Sequence, residues 1–172
     1  ATYLKDLGSD ASTWGLGVNG GDVDGLTEQF GPKIEAMAEA SHQKVTLIGW
    51  SLGGVIARET ARLYSDSVRE VITMGTPLIG GPKYTSVGPL YAWKEGMDMD
   101  AFEEEVHARN SVGLSQPLTV IYSKSDGVVG WQAARDVYNE QARNIEVRST
   151  HMALGANAKV WEIIAHTLAD SA

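Results

Sequence analysis

Three short runs constrain this chain more than anything else in it. Lys44-Val45-Thr46-Leu47-Ile48-Gly49, Val68 to Met74 and Leu118-Thr119-Val120-Ile121-Tyr122 are compact, β-branched and mostly apolar. Strands of this kind have no clear face to turn to water, so they belong in a sheet covered above and below. A shorter run spans Asn144 to Val147. Helical patterns lie between the runs. Leu26, Phe30, Ile34, Met37 and Ala38 form one stripe. Val55, Ile56, Ala57, Ala61 and Leu63 form a second, rich in small residues, and Val160, Ile164, Thr167 and Leu168 a third. Apolar strands alternating with helices predict an α/β class: a mostly parallel sheet with helices on both faces. With 172 residues, of which 43% are hydrophobic and 21% charged, one domain over 1–172 is expected.

The stretch from Gly80 to Pro117 breaks this rhythm. It opens Gly80-Gly81-Pro82, carries few β-branched residues, and predicts one helix near Asp100 to Arg109. An insertion between two strands on the carboxyl side of a parallel sheet sits over the ligand crevice, so 80–117 reads as a small lid.

Composition removes several classes of function. Fourteen basic against 22 acidic residues give a net charge of −8 without a basic stripe, which argues against a nucleic-acid partner. The absence of cysteine excludes disulfides, thiolate catalysis and cysteine-bound metals. No run approaches the roughly 18 apolar residues of a membrane span. The chain begins Ala1-Thr2-Tyr3, with no basic segment leading into an apolar one. The expectation is a removed leader or a truncated product, with the compartment left open.

Gly49-Trp50-Ser51-Leu52-Gly53 fits G-x-S-x-G. Nineteen glycines make such a match unremarkable on its own, but this one lies between a β-branched strand and a small-residue helix. That is the setting of a nucleophile elbow. A sharp strand-to-helix turn holds the serine in a strained conformation, and side chains at Gly49 or Gly53 are expected to strike neighbouring backbone. The helix amino terminus then lies beneath Ser51, favouring developing negative charge, with the Leu52 N–H as one oxyanion donor.

A serine nucleophile needs a base. Of the four histidines, His42 ends a helix, His107 lies on the inserted helix and His166 lies within the last helix. His151 follows a strand, in Ser149-Thr150-His151-Met152, and is expected in a loop on the same rim as the elbow. The orienting acid should follow a strand between these two residues. Asp126 does so in Tyr122-Ser123-Lys124-Ser125-Asp126-Gly127, whereas Asp136 falls in an expected helix and Asp98 and Asp100 belong to the insertion. Trp50, Trp131 and Met152 neighbour these positions and are candidates for an apolar substrate pocket. Glu104 and His107 make a single E-x-x-H with no second copy, and no phosphate-binding glycine loop is present, so neither metal nor cofactor is expected.

These residues resemble the α/β-hydrolase serine hydrolases, and more narrowly lipase- and esterase-like proteins of the GPI-inositol-deacylase-like branch. The likeness runs from about Tyr3 to Leu168. It rests on Trp14-Gly15-Leu16-Gly17, Leu47 to Gly54, Ile72-Thr73-Met74-Gly75-Thr76-Pro77, Tyr122 to Gly127 and His151-Met152-Ala153-Leu154-Gly155. The order serine, acid, histidine is that of the family. The resemblance implies Ser51 as nucleophile, His151 as base and Asp126 as its partner, hydrolysing a small ester or lipid-like substrate. The family's amino-terminal strand and loop, source of a second oxyanion donor, have no counterpart ahead of Tyr3. This departure motivates a rival reading: a weakly catalytic binding protein, with a homodimer covering the sheet edge. A thioesterase or acyltransferase would share the triad and differ only in the acyl donor or acceptor.

Overall fold

The computed structural model describes residues 1–86 and 98–171. Four strands, β1 (Val45–Trp50), β2 (Val68–Met74), β3 (Leu118–Tyr122) and β4 (Arg143–Glu146), form one sheet in the order β1-β2-β3-β4. All three pairings are parallel. Helices α1 (Thr2–Asp6) and α2 (Val23–Ser41) precede the sheet, and α3 (Leu52–Leu63) joins β1 to β2. A short 3-10 turn (Gly81–Tyr84) and α4 (Met99–Ser111) lie between β2 and β3, and α5 (His151–Leu154) and α6 (Ala158–Asp170) follow β4. Among the described residues, no helix is long and apolar enough to cross a membrane.

The strands alternate their side chains between two cores, as the two-residue period requires. Val71, Leu118 and Val120 point to one face, where they meet Ile34 of α2 and Ala57 and Ala61 of α3. Ile72, Met74 and Ile121 point to the other, against Leu154, Val160 and Ile164. The predicted stripe of α6 is therefore its packing face. That of α2 is shorter than predicted. Ile34 is the last of its fully buried residues, and Met37, one turn on, is exposed.

Helix α2 starts on Asp22, whose carboxylate accepts the Gly25 N–H at 3.0 Å. It presses onto the end of α3 through a glycine. A Cβ on Gly31 would lie 1.9 Å from the Tyr64 ring. Alanine in a helix interior ordinarily stabilises relative to glycine, but here the contact reverses the sign. Gly31→Ala is expected to lower stability by about 1–3 kcal/mol, read as a reduced urea midpoint at unchanged slope.

Parallel order has one consequence for function. Neighbouring strands all end on the same rim, so the residues after β1, β2, β3 and β4 are gathered in chain order along one edge. The rim is stitched by backbone bonds: Ser51 N–H to Met74 O (2.8 Å), Gly75 N–H to Ile121 O (2.9 Å), and His151 N–H to Asp126 O (2.9 Å).

Candidate active site

Ser51 follows β1 and caps α3 with φ 54° and ψ −128°, a left-handed conformation that costs an L-residue about 1–3 kcal/mol. The turn is tight enough to need glycine at two places. A Cβ on Gly49 would come within 2.4–2.5 Å of the Gly53 and Gly54 backbone, and one on Gly54 would lie 2.0 Å from Thr76 Oγ1. Gly53, expected to be the second tight position, has nothing among the described residues within 4 Å of its Cβ site. The close approach falls one residue later because Gly54, not Gly53, faces the Gly75-Thr76-Pro77 turn after β2. The Gly54 N–H bonds to Ser51 O at 3.0 Å. Leu52 and Gly53 open α3, where the first-turn N–H groups have no partner within the helix.

His151 is the first residue of the short helix α5, with Thr150 as its cap, rather than a loop residue. It is buried, as is Asp126. The two side chains and Ser51 form one hydrogen-bonded chain. A carboxylate can only accept, so His151 Nδ1–H donates to Asp126 Oδ2 at 2.8 Å. That leaves Nε2 of the neutral ring to accept from Ser51 Oγ–H at 3.0 Å. Asp126 is held on its other oxygen, where Oδ1 accepts the Val128 and Val129 N–H groups at 2.9 and 2.7 Å. Ser123 Oγ joins the two supporting loops, donating to Ser149 O at 2.7 Å and accepting from Ser149 N–H at 3.1 Å. In such an array the imidazole can take the serine proton as the oxygen attacks, while the carboxylate stabilises the resulting cation.

The remaining candidates fall elsewhere. His42 is an exposed left-handed cap of α2, His166 is exposed on α6, and His107 Nδ1 pairs with Tyr138 Oη at 3.2 Å on the surface. Asp136 lies in an irregular loop rather than a helix, and its carboxylate pairs with Arg58 at 2.7 Å. Asp98 caps α4, and Asp100 pairs with Lys83. Among the described residues, no group of three or more histidine, aspartate or glutamate side chains is placed to hold a metal.

Ser51 opens into a cavity of about 370 Å³. Its apolar wall comes from Leu52 and Val55 of α3, Phe102 and Val106 of α4, and Val128 and Val129 beside Asp126. Trp50, Trp131 and Met152 do not line it, which corrects the expected pocket. At the end of a strand, neighbouring residues diverge. Trp50 turns away from the cavity that Ser51 enters and donates its indole N–H to His151 O at 3.1 Å. Trp131 stacks on Tyr122 under Lys124, and Met152 is exposed on α5.

Sequence reasoning assigned no role to two residues that matter, although it noted the turn that holds the first. Gly75 has φ 55°, and a Cβ there would meet Leu154 Cδ1 at 2.7 Å, Asp126 Oδ2 at 3.0 Å and His151 Nδ1 at 3.2 Å. The available signal was a Gly-Thr-Pro turn closing a central strand. Arg58 is the other, almost wholly inaccessible at 1% exposure. Its signal was a pair of charges, Arg58-Glu59, in the middle of a small-residue helix.

Comparisons with known proteins agree with this architecture. A family model described as the alpha/beta hydrolase fold matches residues 23–104, a span that includes Ser51 and ends before Asp126 and His151. No curated protein matches the chain. Among solved structures, the chain is similar to a monoacylglycerol lipase from Paleococcus ferrophilus, with TM-score 0.59 and 15% identity over 85% of this chain and 76% of that one. It is also similar to a lipase-esterase related protein from Clostridium acetobutylicum ATCC 824, with TM-score 0.64 and 16% identity over 87% and 75%. The esterase domain of a Rhodothermus marinus protein gives TM-score 0.61 and 16% identity over 91% and 70%.

Proposed function

We propose that this chain, which has the α/β-hydrolase fold, is a serine carboxylic-ester hydrolase of the esterase or lipase kind. The observation that carries the reading is the unbroken chain from Ser51 Oγ through His151 to Asp126, with contacts of 3.0 and 2.8 Å. His151 removes the Ser51 proton, Ser51 attacks the ester carbonyl, and the alcohol leaves with a proton from His151. Water, deprotonated by the same imidazole, then releases the acid. The Leu52 N–H at the amino end of α3 faces the developing oxyanion, where the helix field is favourable. Asp126 fixes the tautomer and orientation of the ring.

The cavity supports a modest acyl or alcohol group, and the lipase and esterase neighbours support the same reaction class. Helix α4 contributes Phe102 and Val106 to that cavity, which supports reading the 80–117 insertion as a lid-like cover. The part of that insertion at 87–97 lies outside the described residues. The narrower likeness to the GPI-inositol-deacylase-like branch rests on the sequence motifs.

A fluorophosphonate probe is expected to label the protein at Ser51 alone, read by peptide mass spectrometry, and a short p-nitrophenyl ester is expected to be turned over. Absence of both labelling and turnover would overturn the reading in favour of a hydrolase-shaped binding protein. Labelling with turnover only of thioesters, or only with an added alcohol acceptor, would redirect it to thioesterase or acyltransferase. Gly75→Ala supplies an internal control on geometry. A methyl group in contact with both Asp126 and His151 is expected to cost at least about 10²-fold in kcat/KM, because displacements near 1 Å are enough to do so. Unchanged kinetics in that variant would show that the pair does not participate.

A further inference from the structure

The Ser51 cavity is apolar along most of its wall, but two arginines that line it each carry a buried nitrogen without a hydrogen-bond partner among the described residues. Arg58 lines it two turns along α3 from Ser51. Its Nη1 donates to Asp136 Oδ2 at 2.7 Å, while its buried Nη2 has no hydrogen-bond partner among the described residues. Arg109, from α4, lines the same cavity and carries a buried Nε in the same condition, 3.5 Å from Glu59 Oε1 and outside hydrogen-bond geometry. A guanidinium offers five donors and no acceptor, so a buried one left partly unpaired favours a ligand oxygen over a methylene. Arg58 cannot swing away to find one. Asp136 is itself fixed by the N–H groups of Tyr138 and Asn139 at 2.9 and 2.8 Å.

Local charge decides which kind of oxygen. The positive charge of Arg58 is already matched by Asp136, and Glu59 lies against both Arg62 and Arg109. The cavity wall further carries Asp22, Asp24 and Glu105. An anionic tail would enter a field of its own sign, whereas an uncharged acceptor would not.

Resting on the ester-hydrolase reading of Ser51, we propose that the enzyme selects esters whose buried tail bears an uncharged oxygen acceptor, a ketone, hydroxyl or amide, received by Arg58 Nη2. The seven-residue separation of Ser51 and Arg58 at 1.5 Å per residue puts that oxygen within about 10 Å of the reacting carbonyl. Helical side chains lean toward the amino terminus, which shortens the reach further.

The test compares methyl hexanoate with methyl 5-oxohexanoate, methyl octanoate with methyl 7-oxooctanoate, and monomethyl adipate as the anionic control. In at least one pair the oxo ester is expected to be hydrolysed with kcat/KM raised about tenfold or more over its plain partner, and the adipate is expected to show no such gain. Equal rates for oxo and plain esters would overturn the proposal, and preference for the adipate would replace it with an anion site. Binding to Ser51→Ala protein, measured by calorimetry, should show the same ranking and shift the guanidinium N–H resonances of Arg58. If that ranking holds while the unmodified protein hydrolyses nothing, the ester-hydrolase reading fails and the acceptor site stands. If hydrolysis proceeds without any ranking, the acceptor site fails and the hydrolase reading stands. Arg58→Lys, which keeps a charge for Asp136 and removes Nη2, is expected to erase the ratio between paired esters whatever it does to absolute rates. Should that variant not fold, the calorimetric ranking and the Arg58 resonances decide.

Discussion

Replacing Ser51 by alanine is expected to lower ester hydrolysis by about 10⁴-fold or more. The loss is large because the members of a nucleophile–base–acid array act as a unit, so removing the oxygen leaves the imidazole nothing to activate. For the same reason the Ser51→Ala/His151→Ala double variant should be scarcely slower than either single variant. Under the proposed mechanism, what survives is the contribution of the cavity and the Leu52 N–H to positioning the ester and receiving its oxyanion. Steady-state kinetics on a short p-nitrophenyl ester, with active-site titration of the unmodified protein, measures both effects. Near-normal turnover in Ser51→Ala would remove Ser51 from the mechanism, and additive losses would show that Ser51 and His151 act in separate steps.

Asp136→Ala is the largest stability effect expected outside the active rim. Arg58 and Asp136 are both buried, with side-chain exposures of 2% and 0%, and meet at 2.7 Å. Burial pulls the Arg58 guanidinium below its ordinary range, and the Asp136 charge and hydrogen bond push it back. Removing the carboxylate strands a cation in the interior and frees the N–H groups of Tyr138 and Asn139. The cost should be about 3–5 kcal/mol in urea unfolding. Arg58→Met together with Asp136→Leu should recover much of it, because no charge is then left unpaired. A loss below about 1 kcal/mol in Asp136→Ala would mean that water reaches the pair freely.

Much of the fold was legible because burial leaves a simple trace in a parallel sheet. The runs 68–74 and 118–122 coincide with β2 and β3, whose side chains are covered on both faces. The outer strands, β1 and β4, are each offset by one residue from the sequence runs. At their ends, hydrogen bonding rather than apolarity sets the limit, so exposed Trp50 belongs to β1. Ser51, Asp126 and His151 could be singled out because each follows a strand, and strand ends meet on one rim. The cavity wall could not be read the same way. Its residues come from α3, α4 and the Asp126 loop, and sequence neighbours such as Trp50 and Met152 turn elsewhere. Asp136 was misplaced for a related reason. Its carboxylate gathers the backbone of Tyr138 and Asn139 into a turn, and Asn144 binds its own N–H and carbonyl. A long-range contact of Arg58 thus outweighs the helical pattern of its own segment.

The chain-order layout of the rim also has a consequence during synthesis. The nucleophile emerges first, the acid later, and the imidazole only as α5 and α6 arrive to cover the second face of the sheet. Under the proposed mechanism a nascent chain on the ribosome holds a serine without its base, and hydrolytic competence appears only once α5 has brought His151 to the rim. By the same mechanism the chain stays chemically silent until α5, which carries His151, has set Leu154 against the sheet.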